Sequence, residues 1–423
     1  MLSVGCVIGE SSSVNAREFA FEVVRKLKDA QFQALWAGGC VRDQLLGKTP
    51  KDYDVATNAT PDEVREVFGV RKTIAIGAAF GVITVIGSKQ SGNIEIATFR
   101  KDSGYSDGRR PDAVEFTDAR EDAIRRDFTI NGMFYDPVEE QLIDYVEGRA
   151  DIDCKVIRAI GDPEERIDED KLRMLRAVRF ASTFDFELEA VTKSAIQKHA
   201  EEIEVVSAER VGTELRRMLS HPNRAIAAEL LKETGLLCQV IQDGEQLYEN
   251  RANWRTRLRW LDALGSEGSF EQAAAILLSK LIKLHGIHPI VESWKLSNTE
   301  ADSIQWFETN VLTLSRGHQL PWSTIQPLLI NPNAERAVKL VEIQFGREHD
   351  GFKFCQQRLG WESSRLNPKP FLDGQDLKEC GIEPGPIFSK ILKSARAAQL
   401  DGELDSKKQA IELAKSMAAA DDG

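Results

Sequence analysis

Gly38-Gly39-Cys40-Val41-Arg42-Asp43, followed after a short loop by Lys51-Asp52-Tyr53-Asp54, is the stretch on which the reading of this chain turns. The run Phe32–Ala37 before it predicts a short buried strand, which the paired glycines break before Val41–Leu46 turns helical. A helix start reached through glycines lets backbone N–H groups approach a polyphosphate, and the helix end favours its negative charge. Arg42 adds a guanidinium to the same place. A second predicted strand, around Tyr53–Ala56, brings Asp52 and Asp54 at i and i+2, so both carboxylates are expected on one face. Such oxygen ligands suit Mg²⁺, which takes one or two carboxylates and completes its shell with water and substrate phosphates. A D-x-D pair by itself is common in surface turns; the glycine pair at its elbow is what gives it weight. Glu95, alternating with Ile94 and Ile96 on a neighbouring strand, is a candidate third carboxylate on that face.

Working outward, Asn15 followed three positions later by Glu18 predicts a capped helix over 15–29, with Phe19, Val23 and Leu27 on its buried face. Thr60-Pro61-Asp62-Glu63 predicts another capped helix start. Phe80–Ile86 and Ile94–Phe99 read as a hairpin, and the polar stretch Lys101–Pro111 as a mobile loop. Strands and helices mix up to about residue 148. Beyond Ile160 the pattern is helical, with Asp168–Thr183, Leu188–His199 and Ala208–Ser220 as the first predicted helices. Weak breaks at Gly265–Gly268 and Asn367–Pro370 divide the rest of this helical half.

Two further clusters carry chemistry. Arg125-Arg126-Asp127-Phe128-Thr129-Ile130-Asn131 sets an arginine suited to phosphate beside an aspartate and an asparagine suited to ribose hydroxyls; a charged helix end with surface ion pairs fits the segment equally well. In Glu169–Phe180, Leu172, Leu175, Val178 and Phe180 form a buried stripe, and Asp170 and Arg173 are expected as i, i+3 neighbours on the exposed side of one helix. A carboxylate and a guanidinium fixed together offer an acceptor and a donor fork, which can read the Watson–Crick edge of a base. Arg176 and Arg179 continue that side toward phosphates or an RNA end. A solvated, salt-bridged helix is the alternative that this segment alone leaves open.

Composition narrows the choice of function. The 423 residues are 42% hydrophobic and 29% charged, an ordinary globular balance. The net charge of −12 counts against a protein that coats nucleic acid non-specifically, so a nucleic-acid partner needs a local basic groove. The six cysteines include no C-x-x-C pair and the six histidines no H-x-x-x-H, which leaves carboxylates to hold any metal. No apolar run approaches the roughly 18–20 residues of a membrane helix, and the N-terminal MLSVGCVIGESSSVN reads as a frayed leader with no signal-peptide pattern. A cytoplasmic protein is expected. His349-Asp350 is a lone pair without the further histidines of a second metal site.

Taken together and in order, GGCVRD, KDYDVATNATPDEV, IEIATFR, YSDGRRPDAVEF, RRDFTIN, GDPEERIDEDKLRMLRAVRFA and SAERVGTELRRML resemble the class II tRNA nucleotidyltransferases and bacterial poly(A) polymerases, within the DNA polymerase β-like nucleotidyltransferases. The resemblance covers about the first 220 residues, and GQDLKECGIEPGPIFSKILKSARAAQLDGEL is similar to the tRNA-contacting tail of that family. It implies an α/β nucleotidyltransferase head at 1–148 and an all-α remainder of neck (149–222), body (223–345) and tRNA-binding tail (346–423). It implies Asp52 and Asp54 as ligands of Mg²⁺, with Glu95 beside them in catalysis, and Gly38, Gly39, Arg42 and Asp43 at the nucleotide. Arg126, Asp127 and Asn131 would lie near phosphate and ribose, and Asp170 and Arg173 would read the base, with Arg176 and Arg179 alongside. The implied reaction is template-independent addition of CMP and AMP from CTP and ATP to the 3′ end of tRNA. Addition of A alone, of CC alone, poly(A) synthesis, and RNA binding without catalysis are the alternatives. Two departures from the family pattern, Cys40 and Gly132 where alanine is usual, remove no chemical group.

Overall fold

A computed structural model describes residues 15–103 and 113–421. The N-terminal stretch read as a leader and most of the polar loop therefore lie outside the described residues. The chain divides into two compact units, one of residues 1–218 with 226–241, the other of 219–225 with 242–423.

The first unit begins with α1 (Ala16–Asp29), whose start carries the expected reciprocal cap between Asn15 and Glu18 and which buries Val23 and Leu27. It continues through β1 (Ala34–Ala37), α2 (Gly39–Leu45), β2 (Asp54–Thr57) and α3 (Pro61–Phe68), which is capped by Thr60 and Glu63 as expected. Next come β3 (Thr73–Ile74), β4 (Val82–Val85) and β5 (Ile94–Thr98). These strands, with β8 (Phe134–Asp136) and β9 (Gln141–Ile143), form a seven-stranded sheet in the order β3-β4-β5-β2-β1-β8-β9. Only β2 and β5 run parallel in it. The predicted strands and the 80–99 hairpin are all present.

The reading of Lys101–Pro111 as a loop needs correction at its start, residues 101–103. β6 (Arg100–Ser103) pairs antiparallel with β7 (Ala113–Phe116) as a separate two-stranded ribbon. Asp102 ties this ribbon to Arg125, 3.2 Å away, beside α4 (Ala119–Ile124). Leu35, Ala37, Ala56 and Phe134 of the sheet make one core with Phe99, Ala119 and Ala123.

After α5 (Gly148–Cys154) and β10 (Val156–Ile157), the unit turns helical with α6 (Pro163–Glu169), α7 (Arg173–Phe184), the short β11 (Glu187–Leu188) paired to β10, and α8 (Ala190–His199). The helix expected to run unbroken over 168–183 is thus two helices. Asp170 ends α6 with extended backbone, and its side chain accepts from the Leu172 N–H at 3.0 Å, an Asx-type turn that competes with continued helix. Leu172, Leu175, Val178 and Phe180 are buried as expected. Two helices follow, α9 (Ala208–Ser220) and α10 (Arg224–Glu233).

The second unit is helical among its described residues. Its inner helix Phe270–His285 is apolar nearly all round, and Arg224, fully buried, donates to the carbonyl oxygens of Leu219, Gly265 and Gly268. A separate cluster of Leu372, Leu377, Ile391, Ala395, Ala410 and Ala414 holds the last helices together. His349 caps the helix Asp350–Leu359 by accepting from the Gly351 N–H, so the lone His-Asp pair is a helix start. No helix of the described residues is long and apolar enough to cross a membrane.

Candidate active site

Gly38 sits at φ +68°, ψ −120°, a conformation that side-chain-bearing residues rarely adopt, and a Cβ there would lie 2.9 Å from Arg126 Nη1. Only glycine lets the chain leave β1, turn sharply into α2 and keep an arginine against that turn. Arg42, one turn into α2, donates through Nε and Nη2 to Asp43 at 2.9 and 2.7 Å and through Nη1 to Asn131 Oδ1 at 2.6 Å. Its guanidinium also stands 4.6 Å from the ring of Phe184. Asn131 in turn donates to Asp127 Oδ1 at 3.0 Å, and Arg176 donates to Asp127 Oδ2 at 2.9 Å. Asp43, Arg42, Asn131, Asp127 and Arg176 are therefore one continuous network spanning α2, the turn after α4, and α7. Burial raises the Asp127 pKa, but Arg176, Asn131 and the Phe128 N–H outweigh it and hold the carboxyl at about 2. It is an acceptor only.

The Arg-Arg-Asp cluster lies between the end of α4 and a short 3₁₀ turn, Thr129–Asn131. Arg125 and Arg126 both clasp Asp122, at 2.6 and 3.0 Å, and Asp122 is buried. Burial raises the Asp122 carboxyl, and the two guanidiniums overcome that and keep it below its ordinary value.

The base-reading candidates are arranged differently from their expected placement on one helix. Asp170 lies at the end of α6 and accepts from Arg210 of α9 at 2.7 Å, whereas Arg173 opens α7 and donates to Glu169 and to the Arg166 carbonyl at 2.9 Å. Each member has its own clamp. Arg179 is paired with Glu214; burial lowers its pKa, and Glu214 opposes that.

These groups surround one cleft of about 590 Å³. Gly38, Gly39, Arg42, Asp54, Arg126, Asp127, Asn131, Asp170, Arg173, Arg176 and Arg179 all line it, joined by Arg125, Leu172, Phe180 and Arg210. Seven arginines against three aspartates make the local basic surface that the acidic composition calls for. Asp43 stands behind the wall, bonded to Arg42, while Asp52 and Glu95 do not line the cleft. Sequence reasoning misses Arg210 and Glu214 as site residues, although both lie in the SAERVGTELRRML segment, four residues apart.

The carboxylates need a second correction. β2 begins at Asp54, so Asp52 is in the bend before the strand, with Tyr53 buried between them. Glu95 is directly opposite Asp54 on β5. Burial first, then the Glu95 charge and more weakly Asp52, raise the Asp54 pKa, against the attraction of Arg126. Asp54, which meets the charges of two other carboxylates with Arg126 in opposition, marks a place short of positive charge. That is what a divalent ion supplies. The tightest cluster of metal-type donors lies elsewhere: among the described residues, Asp168, His199 and Glu202 alone place three ligand atoms within 4.8 Å, and the Lys171 ammonium already bonds two of them. Asp52, Asp54 and Glu95 do not form so close a group.

Residues 34–158 match the family described as poly A polymerase head domain, and residues 185–246 the one described as probable RNA and SrmB-binding site of polymerase A. The CCA-adding enzyme of Pediococcus pentosaceus is 32% identical over 412 residues, 96% of this chain and 99% of that protein. The one from Lactobacillus delbrueckii subsp. bulgaricus is 34% identical over 93% of this chain and 96% of its own length. The crystal structure of the Bacillus stearothermophilus CCA-adding enzyme in complex with CTP superposes with a TM-score of 0.77 at 28% identity, covering 95% of this chain and 98% of that one. With an α/β nucleotidyltransferase head, a helical remainder and near full-length relatives at this identity, the chain belongs to the family of CCA-adding enzymes.

Proposed function

We propose that this protein adds CMP and AMP from CTP and ATP to the 3′ end of tRNA, completing CCA with its own side chains as template and releasing pyrophosphate. The observation that carries the reading is the cleft itself, in which an acidic strand end, an arginine-rich wall and a fixed carboxylate–guanidinium set face one space. Asp52 and Asp54 would hold Mg²⁺, with Glu95 adjacent. When bound, that ion neutralises phosphate charge and lowers the pKa of the attacking hydroxyl.

The rest falls to the chain's own groups. Gly39 lets the triphosphate approach the start of α2, and Arg42 and Arg126 bring guanidiniums to its oxygens. Asp127, held ionised, and Asn131 accept from and donate to ribose hydroxyls. Asp170 accepts from a base and Arg173 donates to it, while Arg176 and Arg179 keep that wall positive. The 3′-oxygen of the RNA attacks the α-phosphorus; its new P–O bond forms as the bond to the bridging oxygen of the β-phosphate breaks, and pyrophosphate leaves. We assign residues 1–148 to the head, 149–222 to the neck, 223–345 to the body and 346–423 to a tRNA-binding tail, and place the enzyme in the cytoplasm with its tRNA substrate.

The test is extension of three tRNA transcripts, ending at the discriminator base, at C and at CC, with Mg²⁺ and CTP, ATP or both. Addition of C, C and A to the first, followed by a stop, is the expected result. Extension of only the CC-ended transcript, or an open-ended A ladder, would replace the proposal with A-only addition or poly(A) synthesis. Failure to extend any transcript, with Mn²⁺ as well, would leave RNA binding alone.

A further inference from the structure

Between α6 and α7 lies the turn Asp170-Lys171-Leu172, which carries one base-reading candidate and leads directly into the other. Its carbonyls are tied into α7, accepting from the N–H groups of Arg173, Met174 and Arg176 at 2.9, 3.1 and 3.0 Å. Its link back to α6 is long, Asp170 N–H reaching the Arg166 carbonyl at 3.5 Å, and the Leu172 N–H is satisfied by the Asp170 side chain instead of a helical carbonyl. Leu172 is buried and lines the cleft, and Asp170 and Arg173 line it too. Lys171 does not line the cleft. Its side chain is only 13% exposed, and Nζ bonds Asp168 Oδ1 at 2.6 Å and Glu202 Oε2.

Glu202, in the 3₁₀ turn Ala200–Val205, is itself fixed by His199 Nδ1 at 2.6 Å, at the end of α8. His199 Nε2 is buried without a hydrogen bond, with Glu164 of α6 at 3.9 Å, and Lys198 binds Glu164 at 2.7 Å. The ammonium thus stands between two carboxylates, Asp168 and Glu202, that would otherwise repel one another. It is also what joins the turn to the end of α8. Burial works against its charge, yet the bonds to Asp168 and Glu202 leave its pKa above the ordinary lysine value.

We infer that Lys171 is a positioning residue for nucleotide selection: its bridge from the turn to Glu202 sets the placement of Asp170 and Arg173 toward the incoming base. This rests on the reading of Asp170 and Arg173 as the base-contacting pair. A carboxylate–guanidinium set discriminates bases only if both groups stay where the correct edge meets them, and a misplacement of about 1 Å costs on the order of 10²-fold. Lys171 stands outside the lining of the cleft, so its loss should alter which nucleotide enters more than how fast a correctly bound one reacts.

The experiment compares full-length wild type with Lys171→Met, Lys171→Arg, Glu202→Gln and Arg173→Met. The readouts are steady-state addition of CTP and of UTP to a transcript ending at the discriminator base, and thermal unfolding. Lys171→Met is expected to raise the KM for CTP and to lower the CTP:UTP ratio of kcat/KM by about 10-fold, with kcat within about 3-fold of wild type. Glu202→Gln, at a side chain already 44% exposed, is expected to show a smaller loss in the same direction and to fold normally. Lys171→Arg, which keeps the charge and the reach, should restore the ratio. If Arg173→Met collapses the CTP:UTP ratio while Lys171→Met and Glu202→Gln leave it at the wild-type value, the positioning role is wrong even if both variants melt earlier. If Arg173→Met also leaves the ratio unchanged, the base-reading assignment fails and the inference falls with it.

Discussion

Replacing Asp54 by Asn should abolish activity and at the same time make the protein more stable. In the fold Asp54 faces Glu95 across neighbouring parallel strands, with Asp52 nearby, and its pKa is raised by burial and then by these charges. Adjacent strands are about 5 Å apart, so two carboxylates at that separation repel by roughly 1 to 3 kcal/mol for effective dielectric constants between water and a protein surface. Asp54 opens to solvent, and Arg126 offsets part of the repulsion, which puts the gain from Asp54→Asn near 1 kcal/mol. No side-chain hydrogen bond to Asp54 is lost in exchange among those described.

The sign with pH comes from the raised pKa. Below the ordinary carboxyl value of 3.8 both folded and unfolded Asp54 are protonated and the variant gains nothing. The advantage grows as pH rises through the raised folded value and is complete above it. Chemical denaturation of both proteins in EDTA, monitored at several pH values, measures this directly. Titrating Mg²⁺ back should then stabilise wild type more than the variant, because a ligand that binds only the folded state adds to its stability. Nucleotide addition by Asp54→Asn should fall on the order of 10³-fold. A variant less stable than wild type at neutral pH in EDTA would refute the claim that these carboxylates repel one another while waiting for a cation.

Three further outcomes are expected. Asp127→Asn leaves Arg176, which is 32% exposed, without its counter-charge, and should cost about 2 kcal/mol by denaturation at neutral pH. Because the Asp127 pKa is depressed from 3.8 to about 2, its contribution is fully present above the unfolded value, and the difference from wild type should shrink as pH falls through that window. Gly38→Ala must take an alanine to φ +68° with its Cβ against Arg126, at a cost of about 1–3 kcal/mol, and nucleotide KM values should rise in initial-rate assays. Arg210→Met frees Asp170 from its 2.7 Å partner without touching Arg173, so CTP addition should fall by about 10-fold while urea unfolding stays within about 1 kcal/mol of wild type.

Much of the head was legible because its decisive signals are local. Asn15 with Glu18, Thr60 with Glu63, and Gly38 after an apolar strand each act within a few residues, and each stands where its chemistry puts it. The break at Asp170 was hidden because Leu172, Leu175 and Val178 keep helical spacing through it, and no proline or glycine marks the turn. A single aspartate side chain taking the Leu172 N–H makes the difference. The strand Arg100–Ser103 was missed because it is polar and gains its order from partners at 113–116 and from the Arg125–Asp102 pair. The partners of the site arginines were beyond reach for a related reason: Arg176 meets Asp127 and Arg210 meets Asp170 across tens of residues, and no spacing rule announces such pairs.

The contrast between an arginine-walled cleft and a chain of net charge −12 has a kinetic consequence. The arginines of the cleft draw a polyanion to that mouth while the charge of the chain as a whole opposes it, so a strand gains by offering an end there. Few counterions are then displaced on binding, and the dependence of RNA affinity on salt should be shallow. Duplex DNA, which has charge everywhere and few ends, should be a poor competitor.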